Sequence, residues 1–538
     1  MLLAELVRTH TAVAATRSRL TKRAELAAAL RAAAGRSDER PGAAAPGHGG
    51  AGDGDAGADS PDTADVVGDD VEIVASYLSG RLRQRRTGVG WRSLADLPPA
   101  AADPVLTPRD VDDALEAVSR LSGPGSATAR AAAVADLFGL ATADEQRFLR
   151  GLVLGELRQG ALDSLLLDAV ADAAGVPATL VRRAAMFSAE SGPIARAALT
   201  GGAPALERFG LEVGRPVRPM LASSAPDVAA AVEKLGGGQV VADVKLDGIR
   251  VQVHKRDDDV RVLTRSLDDV TDRLPEIVDL VRTLDVGAAV LDGEALALDD
   301  AGRPRPFQET ASRAGTHDVA EVAAAVPLTV RFFDVLHADG VDLIDAPTAE
   351  RLATLDRVAP AGVTVPRLVT DDVAAVSRFF TGAVADGYEG LVLKDPAAPY
   401  AAGRRGTAWV KVKPRHTLDL VVLAVERGSG RRQGTLSNIH LGARDGDSFV
   451  LLGKTFKGMT DEMLAWQTER FRELETADDG WVVTVRPEQV VEIAFDGVQR
   501  STRYPGGVAL RFARVLRYRD DKPAAEADTI DTVRGHLP

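Results

Sequence analysis

The chain has 538 residues, is 45% hydrophobic but only 4% aromatic, and carries a formal net charge of −13. Its length suits about three domains at ~150 residues each. The absence of cysteine excludes disulfides, thiolate zinc sites and cysteine nucleophiles, and fits a reducing compartment. No apolar run nears the ~18 residues that span a bilayer. The start, "MLLAELVRTH", has Glu5 where a signal peptide needs basic residues, so a cytoplasmic protein with no membrane partner is expected.

The net charge by itself argues against a nucleic-acid partner, but the charge is unevenly spread. Residues 50–75 hold eight acids and no Lys or Arg; residues 401–460 hold eleven Lys or Arg against four acids; residues 503–522 hold six against two. Binding depends on the field at the contact face, so the two basic segments are compatible with phosphate binding. Each also fits a solvated surface.

In chain order, residues 2–32 lack Gly and Pro and repeat apolar residues every three or four, which predicts helix. Residues 33–65 hold no large apolar side chain and read as a disordered insert. Helical patterning returns at "VEIVASYLSGRLRQRR" and continues through "DEQRFLRGLVLGELRQGALDSLLLDAVADAAGV" (144–176), so residues 1–210 are expected to form an all-α domain. At "GRPVRPML" (214–221) the period changes. "IRVQVHK", "VRVLTR", "AAVLDGEALAL", "LTVRFFDVL", "YEGLVLK" and "WVKVK" alternate as strands, with "DDVAAVSRFFTGAV" as a helical interlude, predicting an α+β domain over 215–415. Residues 416–538 carry short strands, including "VALRFARVLRYR" as one run, around the helix "TDEMLAWQTERFREL". They are expected to close into a small β-barrel of the OB-fold kind.

The strands of the middle domain carry unusual charges. Lys245 ends a valine-rich run and precedes Asp247 and Gly248, a glycine that permits a turn or close backbone approach. It fits a surface lysine before a hairpin, the commoner fate, or a nucleophile whose pKa is lowered by burial and nearby cations. "WVKVK" sets Trp409, Lys411 and Lys413 on one face, and like charges so placed call for an anion such as phosphate. Asp292 and Glu294 share a face of an apolar strand, and Glu389 adjoins Gly390. Such carboxylates fit either edge-strand charges or ligands that share Mg²⁺ with substrate phosphates. Together these types point to nucleotide chemistry.

The motifs also occur in a telling order: "KLDGIR" (245–250), "TRS" (264–266), "LDGEA" (291–295), "RFFDVL" (331–336), "EGLVLK" (389–394) and "WVKVK" (409–413). This series resembles the successive motifs of the covalent nucleotidyltransferases. "VVEIAFDGVQRSTRYPGGVALRFARVLRYRDDK" (490–522) is similar to the C-terminal signature of ATP-dependent DNA ligases of the three-domain bacterial and archaeal type. Ala513 stands where that family often has proline.

The resemblance implies roles. Lys245 would attack the α-phosphate of ATP and form lysyl-AMP. Asp243 would contact adenine and Phe333 would stack on it; Arg250 and Glu294 would hold the ribose. Arg265 and Arg405 match phosphate- and nucleotide-side arginines. Glu294 and Glu389 would place Mg²⁺, or Mn²⁺ in its stead. Lys411 and Lys413 would bind the α-phosphate, and Arg519 and Lys522 would orient pyrophosphate. The implied partner is nicked duplex DNA bound by a monomer, with recruitment by a sliding clamp or repair proteins left open. Against an NAD-dependent ligase stands the lack of the four-cysteine zinc module. An RNA ligase or capping enzyme leaves the helical first domain unexplained, and a catalytically silent DNA-clamping protein leaves the intact set of charged motif residues unexplained.

Overall fold

The computed structural model describes residues 1–35, 61–84, 86–157, 163–300, 302–315, 326–403 and 405–537, without the side chains of residues 61–64, 314, 315, 405 and 431. Contacts divide the chain into two compact units, 1–220 with 266–268 and 402–404, and the remainder.

The first unit is helical: α1 (Leu3–Ala15), α2 (Arg19–Ala33), α3 (Pro61–Leu78), α4 (Pro108–Ser119), α5 (Ser126–Gly139), α6 (Ala143–Val153), α7 (Asp163–Ala174), α8 (Ala178–Met186) and α9 (Gly192–Glu207). One apolar core, from Leu3 to Leu206, runs through all nine. The expected continuous helix over 2–32 is broken at Thr16–Ser18. There the Thr16 hydroxyl accepts from the Ser18 amide at 3.1 Å and the Ser18 hydroxyl accepts from Thr21 N–H at 3.2 Å, so hydroxyls that compete with the helical ladder end one helix and cap the next. Most of the segment read as an insert, residues 36–60, lies outside the described residues. Its ends do not fit that reading, since Ala33 closes α2 and α3 begins at Pro61. α4 and α6 start with reciprocal caps, Thr107 with Asp110 and Thr142 with Glu145.

The second unit carries two five-stranded sheets and a C-terminal sheet. The strands of the first two are β1 (Leu221–Ser224), β2 (Val240–Lys245), β3 (Ile249–Arg256), β4 (Asp259–Thr264), β5 (Ala288–Ala297), β6 (Leu328–Ala338), β7 (Val341–Asp342), β8 (Arg367–Thr370), β9 (Gly390–Lys394) and β10 (Arg405–Val412). They are ordered β1-β10-β9-β2-β8 and β4-β3-β5-β6-β7, and every predicted strand of the α+β region is present. Apolar side chains of β2, β9 and β10 (Val240, Ala242, Val244, Leu391, Leu393, Val410, Val412) form one core. Those of β3 to β6 form another with the helix Pro275–Arg282.

The C-terminal strands are β11 (His416–Arg427), β12 (Leu436–Asp445), β13 (Ser448–Thr455), β14 (Glu475–Asp478), β15 (Val482–Val485), β16 (Val490–Phe495), β17 (Gly497–Arg500), β18 (Val508–Arg511) and β19 (Arg514–Arg519), with the helix Asp461–Glu473. β11 pairs with β12, β15 and β16, β12 with β13, β15 with β14, and β16 with β19; β17 and β18 form a separate hairpin. Among the described residues the ladder does not return on itself, so the expected closed barrel is replaced by an open sheet. The single run expected over 508–519 is also two strands. Phe512 takes a left-handed φ of 56°, which turns the chain out of the β17–β18 hairpin before β19 joins β16.

Candidate active site

Lys245 is the last residue of β2, and the β2/β9 register sets it opposite Gly390. Glu389 N–H donates to the Lys245 carbonyl at 3.0 Å, which brings the Glu389 carboxylate onto the Lys245 amine as an ion pair. Lys413, just past β10, pairs with the same carboxylate and with Asp496 at 3.2 Å. Burial works against the Lys413 charge, but Glu389 and Asp496 outweigh it and raise its pKa. Glycines make this close meeting of backbones feasible. A Cβ on Gly248 would lie 2.3 Å from the Ala295 carbonyl oxygen, and one on Gly390, whose φ is 133°, would lie 2.2 Å from that of Val412.

Between the two sheets lies a cavity of about 210 Å³, lined by residues of both. Lys245 and Asp243 come from β2, Arg250 from β3, Arg265 from just after β4, Glu294 from β5, Phe333 from β6, Lys394 from β9, and Trp409 and Lys411 from β10. Eight of the sequence-derived candidates thus converge on one hollow: Lys245, Asp243, Arg250, Arg265, Glu294, Phe333 and Lys411 in its lining, and Glu389 through its bond to Lys245. Lys413 joins them through Glu389. Arg405 opens β10, but its side chain lies outside the described residues.

Each lining group is held by others. Arg250 donates from Nε and Nη2 to Asp292 at 3.0 and 2.6 Å; burial disfavours its charge, yet Asp292 keeps its pKa above the ordinary value. Tyr400 also donates to Asp292, at 2.7 Å. Glu294 accepts from Gly248 N–H at 3.2 Å, and burial pushes its carboxyl up to about 7 despite the pull of Lys245 and Arg250. Phe333 and Tyr400 meet Trp409 edge to face, with centroids 6.0 and 5.7 Å apart. Asp243 is buried between Lys394 at 2.6 Å and Arg367 at 3.2 Å, and Lys394 also donates to the Phe333 carbonyl at 2.6 Å.

Arg519 and Lys522 do not reach the cavity. Both pair with Asp419, at 3.0 and 2.8 Å, and Arg519 also with Asp521 at 2.8 Å, which raises the Arg519 pKa. The C-terminal residues that do meet the site are Asp496, on Lys413, and Arg511, whose guanidinium donates to Asp247 at 2.6 and 3.2 Å. The sequence reading missed Lys394, Arg367, Tyr400, Asp496 and Arg511 as site residues. Lys394 carried a readable signal, a lysine ending an apolar strand, and Arg511 lies in the basic segment 503–522; Arg367, Tyr400 and Asp496 sit in stretches with no charge anomaly.

A resident Mg²⁺ is implied by this chemistry. Among the described residues no group of three His, Asp or Glu would hold a cation unaided. Glu294 and Glu389 still fit Mg²⁺, which binds through one or two carboxylates and completes its shell with phosphate oxygens and water.

The architecture and lining are those of a nucleotide-binding transferase. A family model described as "ATP dependent DNA ligase domain" matches residues 219–413, "ATP dependent DNA ligase C terminal region" matches 432–522, and "DNA ligase N terminus" matches 56–171. A probable DNA ligase of Beutenbergia cavernae is 66% identical over 99% of both chains. One from a Nocardioides species is 58% identical over 100% of this chain and 99% of the other. A solved structure named "Pmar-Lig_PreS3" shares the fold at 18% identity, with a TM-score of 0.61 over 96% of this chain and 99% of that one. The chain belongs to the family of ATP-dependent DNA ligases.

Proposed function

We propose that this chain seals nicks in duplex DNA with ATP, through AMP carried on Lys245. The observation that carries the reading is a lysine amine in a cavity lined by Phe333, Trp409, Glu294, Arg250 and Lys411, with Glu389 bound to the amine. Phe333 and Trp409 offer faces for adenine, and Asp243, held by Arg367 and Lys394, would contact its amine. Arg250 and Glu294 suit the ribose hydroxyls.

The Lys245 amine must be neutral to attack. Glu389 accepts from it, holds it in place and would take up its proton as the bond to phosphorus forms. Nζ then forms a bond to the α-phosphorus as the bond to the pyrophosphate oxygen breaks. Lys411, Lys413 and Arg265 offset the charge that gathers on phosphate oxygens. AMP passes to the nick's 5′-phosphate and the 3′-hydroxyl displaces it. Mg²⁺, held by Glu294 and Glu389, would supply further charge neutralisation at the phosphates.

The C-terminal sheet suits an OB-fold whose barrel is left open at β13 and β19. Arg405, Arg519 and Lys522 are assigned the nucleotide- and pyrophosphate-side roles. We read the protein as a cytoplasmic monomer. The test is incubation with α-labelled ATP and Mg²⁺: an acid-stable, hydroxylamine-labile protein adduct is expected, chased to AMP by nicked DNA. Labelling by NAD to the same extent, or no adduct at all, overturns the reading.

A further inference from the structure

Asp292 of β5 and Asp334 of β6 stand directly opposite one another in the ladder, and both are buried. Two carboxylates so placed repel, and each is costly inside the protein unless a cation meets it. The chain supplies an arginine to each. Arg351, fully buried in the first turn of the helix Thr348–Val358, donates to Asp334 from Nε at 2.7 Å and from Nη2 at 3.0 Å. Arg250 donates to Asp292 and also lines the cavity. The first pair belongs to the fold; the second ends at the site.

Tyr400 joins the two pairs. It lies on the connection between β9 and β10, in "DPAAPY" (395–400), and so comes from the other sheet than Asp292. The connection is tied down. Tyr400 N–H donates to the Ile344 carbonyl at 2.9 Å, and the Ala398 carbonyl accepts from Thr348 N–H at 2.9 Å and from Arg351 Nη1 at 3.1 Å. The Arg351 guanidinium lies 5.8 Å from the centre of the Tyr400 ring, and the ring, 1% exposed, meets Trp409 edge to face. The Tyr400 hydroxyl donates to Asp292 Oδ2 at 2.7 Å, the same oxygen that accepts from Arg250 Nη2 at 2.6 Å. It accepts in turn from Arg250 Nη2 at 3.2 Å. Arg250 lines the cavity and Tyr400 does not. A tyrosine that only fills space needs one partner for its hydroxyl. This hydroxyl closes a triangle with a carboxylate and with a guanidinium at the site. A carboxylate gripped by one guanidinium can swing together with it, since its terminal torsion is broad; a second donor, anchored in the other sheet, removes that freedom.

We propose that Tyr400 is a positioning residue for the sugar of ATP: through Asp292, its hydroxyl sets the angle at which Arg250 meets the ribose hydroxyls. It rests on the ligase reading and adds to it a residue that acts on the nucleotide from behind the cavity wall. The buried Arg351–Asp334 pair is the fixed base from which Tyr400 acts.

The test is Y400F in the full chain, which removes the hydroxyl and keeps the ring. Adduct formation is followed over a range of concentrations of α-labelled ATP and of α-labelled 2′,3′-dideoxy-ATP. The parent chain should prefer ATP in kcat/KM by about tenfold or more, the worth of hydrogen bonds to a charged group. In Y400F the KM for ATP should rise about tenfold, with kcat changed by no more than a few-fold. The preference for ATP should shrink to about twofold, because a misaligned Arg250 no longer tells the two sugars apart. The ratio of the two nucleotides within one preparation does not depend on the folded fraction, so a lower melting temperature does not blur the result. An unchanged ratio in Y400F, whether or not both rates fall, overturns the proposal and leaves Tyr400 a core residue. A parent chain that labels equally well from both nucleotides removes the ribose role of Arg250 and the proposal with it, while its labelling upholds the ligase reading. Failure of the parent chain to take label from ATP overturns the ligase reading itself.

Discussion

At the scale of residues, the chemistry converges on the Lys245 amine and the carboxylates around it. Lys245→Ala should abolish adduct formation from ATP, because no other amine both lines the cavity beside Glu389 and ends β2. Sealing of a nick that already bears AMP should persist, since that step does not use the amine as nucleophile; a labelled K245A protein would refute the assignment. Glu294 gives a second, pH-linked outcome. Its carboxyl is raised to about 7 by burial, so the folded chain binds a proton that the unfolded chain has released. The sign follows: stability falls as pH rises from the ordinary carboxyl range through 7, and the penalty is absent below it. Glu294→Gln keeps an acceptor for Gly248 N–H and removes the charge. It should therefore stabilise the protein by on the order of 1–2 kcal/mol at pH 8, with solvent in the cavity reducing the full effect of the shift, and by almost nothing at pH 4.5. Thermal melts at the two pH values decide it. Nucleotide binding should weaken in the same variant, because a ribose contact is lost.

At the scale of elements, the period-2 runs were legible because each strand of the α+β region buries one face and its charges stand out against valine and leucine. Lys245, Glu294 and Lys411 could be read for that reason, and Phe333 only through the family resemblance. Arg367, Tyr400 and Arg511 could not be assigned to the site: they act on Asp243, Asp292 and Asp247 from 124, 108 and 264 residues away, and although Arg511 lies in a basic segment, that segment does not say which of its arginines reaches Asp247. Breaks were equally hidden. The turn at Phe512 falls inside an unbroken strand-like run, and the break at Thr16–Ser18 depends on which hydroxyls reach which amides. Gly390 shows how an element positions chemistry. It opens β9 at a φ of 133°, with its α-carbon against the Val412 backbone, so that Glu389 points at Lys245. Gly390→Ala forces either a strained backbone or a shift of β10, at a cost of about 2–4 kcal/mol. The expected result is a lower melting temperature together with loss of adduct formation even below the new midpoint. A variant that labels normally would show that the β9–β10 approach does not set the site.

At the scale of the whole second unit, the C-terminal region carries two charged clusters, and the structure brings only one of them to the residues around Lys245. Asp496 and Arg511 touch Lys413 and Asp247, whereas Arg519 and Lys522 are neutralised by Asp419. In-line transfer to Lys245 needs pyrophosphate held opposite the amine, and no C-terminal cation is placed to do this while Arg511 occupies Asp247. The proposed roles of Arg519 and Lys522 therefore require the C-terminal region to turn about the segment between Lys413 and His416, exchanging one cluster for the other. The two clusters should then serve separate steps. In R519A/K522A, label transfer from ATP should fall by at least 100-fold, while sealing of a pre-adenylated nick stays within a few-fold of the parent chain. R511A should show the reverse, with near-normal labelling and slow sealing, because it loosens the cluster that holds Asp247. Labelling from ATP and sealing of a pre-adenylated nick, measured on both variants, separate the cases. Equal losses in the two assays for R519A/K522A would mean that one arrangement of the C-terminal region serves both steps, and the exchange of clusters would be wrong.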